Sequence, residues 1–128
     1  MGNTERLAAG TALCSRHGRY LFGMDGSKLF WRDCVGGDER VYFDGGDADG
    51  YFFMGGDASF IVSDGDGTVK WKRGCKFDVR PHVGCLGNPS YDCPYLHLHS
   101  GGTLVLNWID GEGEWKSRNV DRLYPFDV

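Results

Sequence analysis

The chain has 128 residues, 21 of them glycine and only 4 proline, with 14% aromatic residues and a formal net charge of −4. That length suits one domain with a core of its own, and the glycine–aromatic balance is neither collagen-like nor disordered. Basic residues are interleaved with acids, which argues against a nucleic-acid or acidic-membrane surface, and no apolar run reaches the roughly 18 residues of a membrane span.

The N-terminal stretch MGNTERLAAGTALCS is too polar for a signal peptide, and Arg6 stands where a myristoylation signal wants Ser or Thr. The protein is therefore expected in the cytosol, or secreted with its leader removed. From Tyr20 onward the sequence reads as strand, glycine-containing turn, strand, second turn and third strand, three times over, at about 20–42, 51–73 and 95–117. Moving the third unit back by 44 residues lays Tyr95 on Tyr51 without a gap. Leu104-Val105-Leu106 then falls on Phe60-Ile61-Val62, and Trp115-Lys116 on Trp71-Lys72. A further 31 residues back, Leu29-Phe30-Trp31 takes the apolar run.

Within a unit the first strand alternates, as in Leu96 and Leu98 against His97 and His99, the pattern of a half-buried strand. Asp25-Gly26, Gly55-Gly56-Asp57 and Ser100-Gly101-Gly102 supply the first turns. Asp64-Gly65-Asp66-Gly67 and Asp110-Gly111-Glu112-Gly113 supply later ones. No stretch has the period of an amphipathic helix. The expectation is one all-β domain over residues 1–128 with pseudo-threefold symmetry, each unit burying its apolar face against the others.

The two offsets differ by 13 residues, which places an insertion between units two and three, at about 73–93. It carries Cys75, Cys85 and Cys93, and reads as a surface loop held by a disulfide in an oxidising environment. With Cys14 and Cys34 the cysteines number five, so disulfide pairing leaves at least one unpaired. Asn88-Pro89-Ser90 has proline in the position that forbids glycosylation.

The side chains that suggest chemistry each have a plainer reading. His97 and His99 follow His82, Cys85 and Cys93, but C-x7-C-x3-H-x-H matches no zinc spacing, and surface strand is the simpler assignment. The Asp44–Gly50 stretch, placed in a calcium-loop register, would start on Gly45 and end on Gly56, so it and the Asp64–Gly67 stretch read as turns. Trp71 and Trp115 are expected in the core, where each indole N–H needs an acceptor. The cysteines lack a histidine and an acid at a recognisable spacing, so no enzyme, metal or cofactor is expected.

With these repeats the chain resembles the bulb-type mannose-binding lectins, the β-prism II family. Leu7-Ala8-Ala9-Gly10-Thr11-Ala12-Leu13 is similar to that family's L-x-x-G-x-x-L opening, and Tyr20-Leu21-Phe22, the three apolar runs and the placement of Trp71 and Trp115 extend the likeness over nearly the whole chain. The resemblance implies three four-stranded sheets as the faces of a prism. It also implies a closing strand at Leu123-Tyr124-Pro125-Phe126 that is exchanged between subunits of a homodimer.

The family's sugar signature is Q-x-D-x-N-x-V-x-Y, whose alternate spacing keeps its side chains on one strand face. Carried over by position, it falls on Met24, Gly26, Lys28, Phe30 and Arg32 in unit one, and on Gly55, Asp57, Ser59, Ile61 and Ser63 in unit two. In unit three it falls on His99, Gly101, Thr103, Val105 and Asn107, beside His97; only Asp57 and Val105 keep the family residue. Unit one is expected to be blind to neutral sugars, its Lys28 and Arg32 suiting an acidic sugar or a solvated edge.

The reading is a non-catalytic, carbohydrate-binding protein with altered or partly lost mannose specificity and glycans or glycoproteins as partners. Its candidate ligand residues are Asp57, Ser59, Ile61 and Ser63 in unit two, and His97, His99, Thr103, Val105 and Asn107 in unit three, with Trp108 as a stacking platform if exposed. The alternative is a sugar-blind β-prism serving protein contacts, as in an effector or toxin. A third reading is a metal-dependent protein centred on His97, His99 and the nearby cysteines.

Overall fold

The computed structural model describes residues 1, 5–45, 47–55, 59–73, 94–109 and 112–120. Short strands joined by tight turns follow one another along the chain, and no helix occurs among the described residues. β1 (Arg6–Ala8) and β2 (Ala12–Cys14) precede the meander β3 (Tyr20–Asp25), β4 (Lys28–Asp33) and β5 (Glu39–Asp44). A second meander holds β6 (Tyr51–Met54), β7 (Phe60–Ser63) and β8 (Val69–Arg73). The third holds β9 (Tyr95–Leu98), β10 (Leu104–Ile109) and β11 (Trp115–Asn119).

These strands form three antiparallel sheets, in the orders β2-β3-β4-β5, β1-β6-β7-β8 and β11-β10-β9. The first two have four strands, as expected. The third has three described strands rather than four, and β9 occupies the edge that β2 and β1 flank in the other sheets. Leu123–Phe126, the expected closing strand, lies outside the described residues, as does the insertion at 74–93 with Cys75, Cys85 and Cys93. Cys14 and Cys34 are free and exposed, so no disulfide joins them.

Alternation sends one set of side chains from every sheet into a shared interior. Phe22, Met24 and Leu29 come from the first sheet, Phe52, Phe60 and Val62 from the second, and Leu96, Leu104 and Leu106 from the third. Phe52 stands edge-on to both Phe22, with ring centroids 5.2 Å apart, and Phe60, at 5.4 Å. Burying each such side chain contributes about 1.5–3 kcal/mol. No single sheet has a second face of its own to cover this apolar surface, so the three sheets fold together.

Two glycines are required by close approach. A Cβ on Gly23 of β3 would collide with the Thr11 carbonyl and the Ala12 backbone of the adjoining strand. Gly102 has φ +89, and a Cβ there would lie 2.7 Å from the Tyr20 ring. Tyr20 in turn stacks on Trp31, whose indole Nε1 donates a buried hydrogen bond of 2.9 Å to the Gly102 carbonyl. Trp31 thus fills its inward slot and also ties the first sheet to the β9–β10 turn of the third. At the end of β4, Asp33 accepts hydrogen bonds from Arg19, Gly36 N–H and Val35 N–H. The Arg19 guanidinium first, then these amides, hold its carboxyl far below the usual carboxylate range.

Candidate functional site

The outer faces of the three sheets differ in what covers them. On the first, Arg32 lies over the Phe30 ring at 4.4 Å and donates to Glu39 at 2.8 Å, while Lys28 is 3.8 Å from the same Glu39 carboxylate. Phe30 is only 4% exposed. With Asp25 lying 3.7 Å from Arg32 as well, the basic pair expected to suit an acidic sugar is matched by two carboxylates of its own sheet.

On the second sheet the candidate residues are inside. Ser59 and Ser63 are each 1% exposed and Ile61 is 9% exposed, so β7 is buried along both faces. The register explains this. Tyr51 pairs with Ser63 and Phe53 with Ile61, placing two aromatic rings on the same outer face, and Arg6 lies over the Tyr51 ring at 4.6 Å. The sequence carried a signal of this closure: β6 places two bulky aromatic side chains, Tyr51 and Phe53, at the alternate positions that flank Ser63 and Ile61, where β9 has Tyr95 and His97. Asp57 lies outside the described residues. The acidic turns beside this sheet are capped internally. Asp47 Oδ1 accepts from the amides of Asp49 and Gly65, Asp64 Oδ1 from the Asp47 amide, and Asp66 Oδ1 from the Thr68 amide.

The third sheet has an open outer face. Leu96 and Leu98 point inward, and His97 is exposed opposite Val105, which in turn faces Asn119 on β11. His99 donates its backbone N–H to the Thr103 carbonyl, so those two close the hairpin on the same face. Tyr95 stands opposite Asn107, and Asn107 opposite Ser117. His97, His99, Thr103, Val105 and Asn107 thus lie on one side of the sheet, with Tyr95, Ser117 and Asn119 among them.

Trp115 corrects the expectation that both repeat tryptophans are core. It is 47% exposed, whereas Trp71 is 7% exposed. The cause is register. A shift between Val62 and Ser63 brings Trp71 opposite the inward Val62, but β10 and β11 pair without a shift, so Trp115 lands opposite the outward Ile109. Its ring meets Tyr95 edge-on, with centroids 6.1 Å apart. Trp108 takes the interior position instead and is 7% exposed, so it offers no platform to a ligand. The Trp71 indole nitrogen finds no acceptor among the described residues.

The two histidine rings stack on each other, with centroids 4.3 Å apart and planes 25° from parallel. Partial burial, then the neighbouring His99 and the Met1 amino group, push the His97 imidazole below its usual value. Beside them a cleft of about 400 Å³ runs between β9 and β2, lined in part by Leu13, Cys14, Arg16, His97, Leu98 and His99. Among the described residues no group of three or more His, Cys, Asp or Glu side chains is arranged to hold a metal ion; His82, Cys85 and Cys93 lie outside them.

Three antiparallel sheets packed on a common apolar interior define an all-β, β-prism-like fold. A solved structure shares it: the Japanese Marasmius oreades lectin, with a TM-score of 0.51 and 19% sequence identity over 86% of this chain and 80% of that one. No protein-family model and no curated protein sequence matches the chain.

Proposed function

We propose that this chain is a single-domain, non-catalytic, lectin-like protein that binds carbohydrate on the outer face of its third sheet. The observation that carries the reading is Trp115, exposed on the face that also presents Asn107 and Ser117 and edge-on to Tyr95. A sugar ring has an apolar C–H face and a rim of hydroxyls. An exposed indole beside amide and hydroxyl side chains matches both, the indole through packing and the polar groups through hydrogen bonds.

His97, His99, Thr103 and Val105 border this surface and form its second margin. The fold shared with a lectin supports the assignment. Mannose specificity is altered in this reading: the bulb-lectin signature survives only at Asp57 and Val105, and Ser59, Ile61 and Ser63 are enclosed. One shallow face binds weakly, so a homodimer built by exchange of the C-terminal segment would supply avidity toward glycoproteins.

A glycan array with the full chain and with Trp115→Ala tests the proposal. The expected result is a set of neutral-glycan hits that weaken roughly tenfold in the variant, the equivalent of about 1.4 kcal/mol. No hit at high protein concentration would sink the lectin reading and favour a sugar-blind module for protein contacts.

A further inference from the structure

We infer that the cleft between β2 and β9 binds an oxyanion, a carboxylate or sulfate ester carried on a small organic body, with Arg16 as its charge partner. This site meets the Trp115 surface only at His97 and His99 and does not depend on that surface binding sugar.

The first support is the charge of the lining. The chain carries 18 acidic against 14 basic residues, yet no Asp or Glu lines the cleft. Its polar side chains are Arg16, His97, His99, Ser100 and the Cys14 thiol. The second is the state of Arg16. Arg19 and Arg32 are ion-paired, Arg6, Arg40 and Arg73 lie over aromatic rings, and Arg118 is engaged as well. Arg16 makes no hydrogen bond, ion pair or ring contact among the described residues. A guanidinium has a planar fork of donors matched to two oxygens of one anion, and here that fork is unspent beside a cavity.

The third support is shape. About 400 Å³ is far more room than a bare ion fills, and the partly buried Leu13 and Met1 give the cleft an apolar wall for the rest of the ligand. The stacked imidazoles complete the rim. The charged or titratable groups facing them are Arg16 and Cys14 from the β2 side and the Met1 amino group, none of them acidic. A bound anion is therefore opposed by no carboxylate from either side of the cleft.

Isothermal titration of the full chain with methyl β-D-glucuronide and with the neutral methyl β-D-glucoside tests the site, with benzoate as a carboxylate that is not a sugar. A charge-assisted hydrogen bond contributes about 1.5–3 kcal/mol, so an acid should bind roughly tenfold to hundredfold more tightly than the glucoside. Arg16→Gln should abolish that preference while its near-ultraviolet circular dichroism matches the parent, since Arg16 is exposed and makes no hydrogen bond or ion pair among the described residues. Trp115→Ala should leave the preference intact, separating this cleft from the outer face. Binding of the glucuronide but not benzoate identifies an acidic sugar as the ligand; binding of benzoate as well identifies any small organic acid. Failure of both acids to bind, equal affinity for glucuronide and glucoside, or a preference that survives Arg16→Gln would overturn the inference.

Discussion

The outer faces of the second and third sheets begin from nearly the same sequence pattern and end in opposite states. In both, the central strand opens on an apolar run, Phe60-Ile61-Val62 or Leu104-Val105-Leu106, and in both the first strand starts with a tyrosine. Yet β7 is enclosed at every position, while Val105, Asn107 and Ile109 of β10 remain half-exposed. The difference lies in the neighbours. Beside β7 stand Tyr51 and Phe53 with Arg6 above; beside β10 stand Tyr95 and the slim, polar His97. A binding face is made less by the residues on its central strand than by what the flanking strand places over them.

Substitutions at matched positions give this contrast a scale. The largest difference is expected between the two tryptophans. Trp71→Ala should cost about 3–5 kcal/mol of stability by emptying an interior position, and Trp115→Ala should change stability by less than about 1 kcal/mol because that ring is already half in water. Chemical denaturation of both variants measures the pair; equal losses would mean that Trp115 is core after all. Next comes charge insertion on the outer faces. Ile61→Asp should destabilise by roughly 2–4 kcal/mol, the cost of burying an unpaired carboxylate, whereas Val105→Asp should stay within about 1 kcal/mol. A similar shift in thermal midpoint for both would break the distinction between a closed and an open face.

The smallest effect is the pH response of the open face. His97 titrates below its ordinary value of 6.5 in the folded chain, so the unfolded chain binds the proton more readily. The stability linked to it is fully present above about pH 6.5 and is lost as pH falls from there toward the lowered folded value. A thermal midpoint that declines between pH 7 and pH 5 should decline less in His97→Asn; an unchanged slope would remove His97 from the account.

Much of the fold was legible because alternation and turn glycines are local signals. Leu96 and Leu98 pointing inward, and Gly26 with φ +57 in the β3–β4 turn, follow from a few neighbouring residues. The positions that sequence misassigned depend on pairing between strands. Residues 44 apart align Trp71 with Trp115 without a gap, but the shift in the β7–β8 ladder and its absence between β10 and β11 send the two rings to opposite sides. The enclosure of Ser59 and Ser63 depends likewise on the strand next door. The cleft at Arg16 brings together residues more than 80 positions apart, from β2 and β9, and no local pattern announces such a meeting.

The hydrogen bond from Trp31 to the Gly102 carbonyl has a practical consequence. The β9–β10 turn that carries His99 and Ser100 is fastened through Gly102 to an indole of another sheet, with Tyr20 stacked behind it. An indole held at 2.9 Å from a carbonyl emits according to that bond. Any ligand that draws the turn toward the cleft would loosen or tighten it, and the protein's own fluorescence would register the event without a label. Of the four tryptophans, Trp71 and Trp108 are buried, so the difference between the parent and Trp31→Phe isolates that signal, and the difference between the parent and Trp115→Phe isolates the outer face.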